Sequence, residues 1–350
     1  MKQNNYLLNF LKVTFFSLLL IATSPVRAEI KVVTTIKPLH SLIANVMDGV
    51  GEPSLIIEGS TSPHSFTLKP SHAKLLEEAD LIFWVGEGIE TFMERPLESI
   101  VKNAEVVEFM EVESIEKLKF REESIYGDHD DHDDHDDHDD DHDEDHDDHD
   151  DHDDHDDHDE DHDDHDDHDE DHDDHAGHEG HNHGEFDAHI WLDPSNAKEM
   201  VHEIAHELGD LDPANKDKYE ANAEATIIAL DQLIEDVSKD INKDAKFVVF
   251  HDAYQYFEER FGVRAAGALT LNTDVLPGAK QIDEIQDLIK DRGINCIFSE
   301  PQFNPKIIST IAEDMNIKTG VFDPLGANIN SDKDLYFKLI SNLGNELKGC

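Results

Sequence analysis

Short β-branched runs and longer stretches with apolar residues at helical spacing alternate along the chain, first from Glu29 to about Gly86 and again from Lys246 to the end. In the first set IKVVTTI reads as a strand, HSLIANVMDGV as a helix ending near Gly49, and PSLIIEG as a strand. SHAKLLEEA follows as a helix that Ser71 can cap, leading into the strand DLIFWVG. In the second set KFVVF, INCIFSE and IKTGVF are strands. TDVLPGAKQIDEIQDLIKDRG holds a helix stopped by Gly293, and PKIISTIAEDM and DKDLYFKLISNLGNELK are helices. Strand–helix alternation implies α/β lobes, each a parallel sheet flanked by helices.

Between the two sets, Ala223, Ile227, Leu230, Ile234, Val237 and Ile241 recur at steps of four and three and so share one helical face. Fewer than three full heptads argue against a coiled coil, and one long rigid helix joining two lobes is expected. The predicted organisation is an N-terminal lobe over residues 29–212, a linking helix over 213–243 and a C-terminal lobe over 244–350.

Charge changes this picture at one place. The formal net charge is −55, but residues 127–184 hold 18 His and 34 Asp or Glu, and removing those acids leaves −21. This period-three tract has almost no apolar residues, so it reads as a disordered loop inserted in the first lobe. No basic patch is present, which excludes nucleic acid as a partner. Residues 1–28 read as a cleavable export signal: Lys2 and Lys12 precede an apolar run too short to span a membrane, with Val26 and Ala28 at the cleavage positions. No Cys lies near that site, so a soluble periplasmic protein without a lipid anchor is expected. The two cysteines, Cys296 and Cys350, are expected to pair in that oxidising compartment.

Ligands in doubly wound sheets bind beyond the carboxyl ends of the strands. Four polar residues are expected there: His64 in GSTSPHSF, His189 in AHIWLDP, His251 in FVVFHDAY and Asp323 in GVFDPLG. Three imidazoles with one oxygen, from Asp323 or water, make a tetrahedral set suited to Zn²⁺.

PHSF, HIWLDP, FHDAYQYFEERFG, SEPQFNP and FDPLGANI, in this order around a His-rich loop, resemble the zinc-specific solute-binding proteins of bacterial ABC importers, the ZnuA type. The resemblance spans nearly the whole mature chain. It implies two α/β lobes bridged by a long helix, Zn²⁺ as transported ligand between them, a permease of the inner membrane as partner, and a monomer. It places the metal-binding histidines on His64, His189 and His251. Manganese-binding relatives carry Glu at the position matching His251 and use the Asp matching Asp323, so His at 251 points to zinc. Some zinc members have Glu before the first His, where this chain has Pro63, which leaves the fourth position to water or Asp323.

Two features point elsewhere. HEIAH, with His202, Glu203 and His206, matches the zinc-hydrolase signature. On a helical wheel, however, Val201, Ile204, Ala205 and Leu208 form the buried stripe and the two histidines flank it. The loop histidines (His129, His132, His135, His138, His142, His146, His149, His152, His155, His158, His162, His165, His168, His172, His175, His178, His181 and His183) offer many interchangeable low-affinity metal positions. The alternatives to a zinc-delivery protein are therefore a metallohydrolase built on HEIAH and a passive metal buffer acting through the loop.

Overall fold

A computed structural model of the chain describes residues 30–121, 123–125, 185–271, 273 and 277–350. The expected export signal, and the loop with its histidines from His129 to His183, lie outside the described residues. Strands β1 (Val32–Thr34), β2 (Ser54–Leu55), β3 (Leu81–Trp84) and β4 (Glu105–Glu108) form one parallel sheet in the order β2-β1-β3-β4. Strands β5 (Phe247–His251), β6 (Ala268–Thr270), β7 (Cys296–Ser299) and β8 (Lys318–Val321) form a second in the order β6-β5-β7-β8, again parallel. Both sheets are wound alike, so the carboxyl end of the first strand of each is central. β1, β3 and β5 are buried at every residue, as parallel strands covered on both faces must be.

The helices are α1 (Lys37–Val46), α2 (Pro70–Glu78), α3 (Glu94–Ser99), α4 (Pro194–Leu211), α5 (Lys216–Asp240), α6 (Gln255–Phe261), α7 (Ala279–Arg292), α8 (Lys306–Met315) and α9 (Leu335–Leu347). α7 ends where expected: Gly293 caps it in the left-handed region at φ 63°. α2 starts one residue earlier than expected. Pro70 takes the first helical position and Lys69 the cap, so Ser71 caps nothing; the His72 Nδ1 accepts from the Lys69 amide at 3.2 Å instead.

α5 runs 25 residues, about 38 Å, between the two sets of strands. It packs on α1 and α4 and also on α6 and α9. Its fully buried stripe is Tyr219, Ala223, Thr226, Leu230, Leu233 and Val237. The spacing is the expected one, rotated by part of a turn, so Ile227 and Ile234 are half-buried. The rotation follows from neighbours on two sides, which widen the covered face toward Thr226 and Leu233. One continuous core joins residues of both sheets, from Val33 and Phe83 to Phe247, Phe298 and Leu343, through α5. A smaller second core, including Val248, Leu269, Ile285 and Ile308, fills the far face of the second sheet.

Two links tie distant segments of the chain together. The chain leaving β4 pairs with the returning chain through the antiparallel bridge Lys119–Phe186 and the hydrogen bond from the Asp187 amide to the Leu118 carbonyl at 2.8 Å. It then touches the edge of β6 through the bridge Ile125–Gly267. At the other end, Cys296 of β7 is disulfide-bonded to Cys350, beyond α9.

Candidate metal centre

His251 is the last residue of β5. His64 lies in a 3-10 turn, Pro63–Ser65, well beyond β2, and His189 immediately precedes another, Ile190–Leu192. Of the three expected strand-end histidines only His251 ends a strand. The other two sit in turns, because Pro63 favours a turn at its own position and the Leu192 amide closes back on the His189 carbonyl at 3.1 Å.

The three rings nevertheless converge. Their ligand nitrogens all lie within 4.8 Å of one another, and no other group of three or more metal-binding side chains does so among the described residues. His189 and His251 are almost fully buried, at 4% and 3% exposure, whereas His64 is half-buried at the mouth. Trp191, Phe303, Pro324 and Leu325 wall one side of the cleft, and Ile89, Phe120 and Ala188 wall another.

Each buried ring is held by a carboxylate. His189 Nδ1 meets Asp187 Oδ1 at 2.7 Å, and the same oxygen accepts the His189 amide at 3.0 Å. His251 Nδ1 meets Glu300 Oε1 at 2.7 Å. With both Nδ1 atoms engaged, both Nε2 atoms turn toward the shared space, where they stand 3.3 Å apart. A tetrahedron with metal–nitrogen bonds of about 2.0–2.1 Å has edges of about 3.3–3.4 Å. The separation is therefore what two imidazoles ligating one zinc ion would adopt.

Electrostatics differ between the two rings. Burial, then the neighbouring His251, holds His189 well below its ordinary pKa, so it stays neutral with a lone pair available. Burial alone would lower His251 as well, but the charge and hydrogen bond of Glu300, with Asp252 and Asp187 adding, leave it raised. Burial raises Asp187 to about 7.

Asp323 is placed differently. Its Oδ1 accepts from the amides of Leu325 and Gly326 at 3.2 and 3.0 Å and from Gln302 Nε2 at 3.0 Å, and its Oδ2 accepts from the Ala327 amide at 2.6 Å. It caps the turn after β8 and stands outside the three-imidazole group. Asp187 and Glu300 were not picked out from the sequence. Glu300 directly follows the last residue of β7, so the strand-end rule that selected Asp323 applies to it equally. His202 and His206 project from α4 into solvent, with Val201, Ile204, Ala205 and Leu208 buried beneath them, and no third ligand joins them among the described residues.

Two like-wound parallel sheets, with three converging imidazoles of which two are oriented by carboxylates, mark an α/β solute-binding protein of the two-lobed class. A family model described as zinc-uptake complex component A, periplasmic (ZnuA) matches residues 32–350, and the chain belongs to that family. It is 48% identical over 321 residues to the high-affinity zinc uptake system protein ZnuA of Brucella abortus (strain 2308), covering 91% of each chain. It is 36% identical over 342 residues to the protein of that name from Haemophilus influenzae, covering 97% of this chain and 98% of the other. A crystal structure titled "Crystal structure of ZnuA" superposes with a TM-score of 0.66 at 20% identity, over 91% of this chain and 99% of that one, a likeness of fold.

Proposed function

We propose that the protein captures Zn²⁺ in the periplasm with His64, His189 and His251 and delivers it to an ABC-type permease of the inner membrane, without catalysing a reaction. The observation that carries this reading is the 3.3 Å Nε2–Nε2 separation of two buried imidazoles whose Nδ1 atoms are both held by carboxylates. Membership of a family described as a periplasmic zinc-uptake component supports the cargo and the compartment. Water completes the tetrahedron at the mouth, where His64 is half-buried; Asp323 stands outside the imidazole group, with both oxygens already accepting hydrogen bonds. The joining helix α5, packed on helices of both halves, acts as the strut. Among the described residues no helix is long and apolar enough to cross a membrane.

The test is titration against a competing zinc chelator. His64→Ala, His189→Ala and His251→Ala should each weaken binding by at least about 10-fold, since losing even a residue that merely supports a ligand costs that much. His72→Ala should leave it unchanged. Tight binding surviving in His251→Ala would overturn the assignment.

A further inference from the structure

The motif His202–His206 is not consumed by the cleft. α4 is anchored by Val201, Ile204 and Leu208, all fully buried, so its exposed edge is a fixed platform. On that edge the two histidines stand one helical turn apart, with about 5–6 Å between Cβ atoms. Both line one solvent-open groove of about 620 Å³ between α4 and α5. Glu203, Glu220 and Glu224 share that wall, against a single Lys216, so the groove carries a negative field. His206 is already oriented: its Nδ1 meets Glu207 Oε1 at 3.1 Å, and its Nε2 faces outward, 3.8 Å from Asp210 Oδ2.

We propose that His202 and His206 chelate one divalent transition-metal ion of the zinc, nickel and copper class, as a second site separate from the cleft. Two imidazoles at i and i+4 on one helix face reach a common ion in adjacent coordination positions, and water fills the remainder. The backbone is ordered before the ion arrives, so binding costs only side-chain freedom. With two protein ligands in place of three, and both exposed, the site binds more weakly than the cleft and exchanges freely. The surrounding glutamates raise the local cation concentration without having to ligate. Among the described residues no group of three metal-binding side chains forms around the pair, which makes the arrangement a two-armed chelate.

The experiment uses the full chain with Ni²⁺ at buffered free concentrations, and reads each histidine by carbethoxylation and peptide mass spectrometry. Because the readout is residue by residue, neither the loop histidines nor the state of the cleft obscures it. His202 and His206 should become protected with one shared midpoint. His206→Ala, an exposed change that leaves the fold intact, should move the His202 midpoint upward by roughly 100-fold, because the second arm of a chelate acts at high effective concentration. No protection of His202 up to about 1 mM free Ni²⁺, the weakest affinity worth calling a site, would overturn the proposal. So would a His202 midpoint unmoved by His206→Ala.

Discussion

Glu300→Gln isolates what the cleft gains from its supporting carboxylates. Glu300 Oε1 lies 2.7 Å from His251 Nδ1, and both side chains are buried, at 1% and 4% exposure. Water therefore neither screens nor replaces the contact. The substitution keeps the volume and removes the charge. Losing such a partner of a metal-ligating imidazole costs about 10- to 100-fold in affinity, or about 1.4 to 2.7 kcal/mol.

The same change has an opposing effect on proton competition. Glu300 is what holds the His251 pKa above its ordinary value against burial. Zinc must displace that proton, so in the parent protein affinity falls as pH drops through the raised His251 pKa. Without Glu300, burial dominates, the His251 pKa falls, and less proton has to be displaced at acid pH. The affinity gap between variant and parent should thus be widest at about pH 8 and narrow toward about pH 5.5, on either side of the ordinary imidazole value. Chelator competition across that range is the assay. Equal affinities at the alkaline end, or a gap that does not change with pH, would refute the reasoning.

Asp323→Asn should leave zinc affinity within about 3-fold, less than the loss of a ligand, while lowering the melting temperature, because Asp323 caps a turn; a 10-fold or larger loss of affinity would make it a ligand. Cys350→Ser opens a bridge of sequence separation 54 and should cost up to about 4 kcal/mol in denaturant melts, with zinc binding unaltered. Asp187→Ala removes the carboxylate that fixes the His189 tautomer and should weaken zinc binding by about 10-fold or more, read by the same competition. Deleting residues 127–184 should abolish extra calorimetric stoichiometry and keep one tight site; loss of that site would move primary binding into the loop.

Much of the architecture was legible because its signals are local. Buried parallel strands show as unbroken β-branched runs, and VVT, LIFW and FVVF all fall in strands. Gly293 stops α7 through backbone conformation alone. Elements set by tertiary context were not legible. β4 has two exposed residues of four, and β6 reads ALT, without the β-branched run that marks β1. Of the expected stripe of α5, Ala223, Leu230, Val237 and the capping Ile241 are buried and Ile227 and Ile234 half-buried, while Thr226 and Leu233 join it because a helix face is fixed by all its neighbours and not by hydrophobicity alone.

The site divides in the same way. Imidazoles can be proposed from sequence because few other residues bind zinc, but acidic side chains are too common to sort without coordinates. Asp323 and Glu300 both stand just past the end of a strand. One spends both oxygens on amides of its own turn and on Gln302, while the other reaches across to a histidine 49 residues away. What separates them is the direction of one carboxylate, and that direction depends on the chain beyond each strand. After β8 the chain turns back at Pro324–Ala327 and presents its amides to Asp323. After β7 no amide of the described residues closes on the Glu300 carboxylate, and its Oε1 takes the proton side of His251. The cleft-facing Nε2 of His251, at the end of β5, is thus aimed by the shape of the turn after β7.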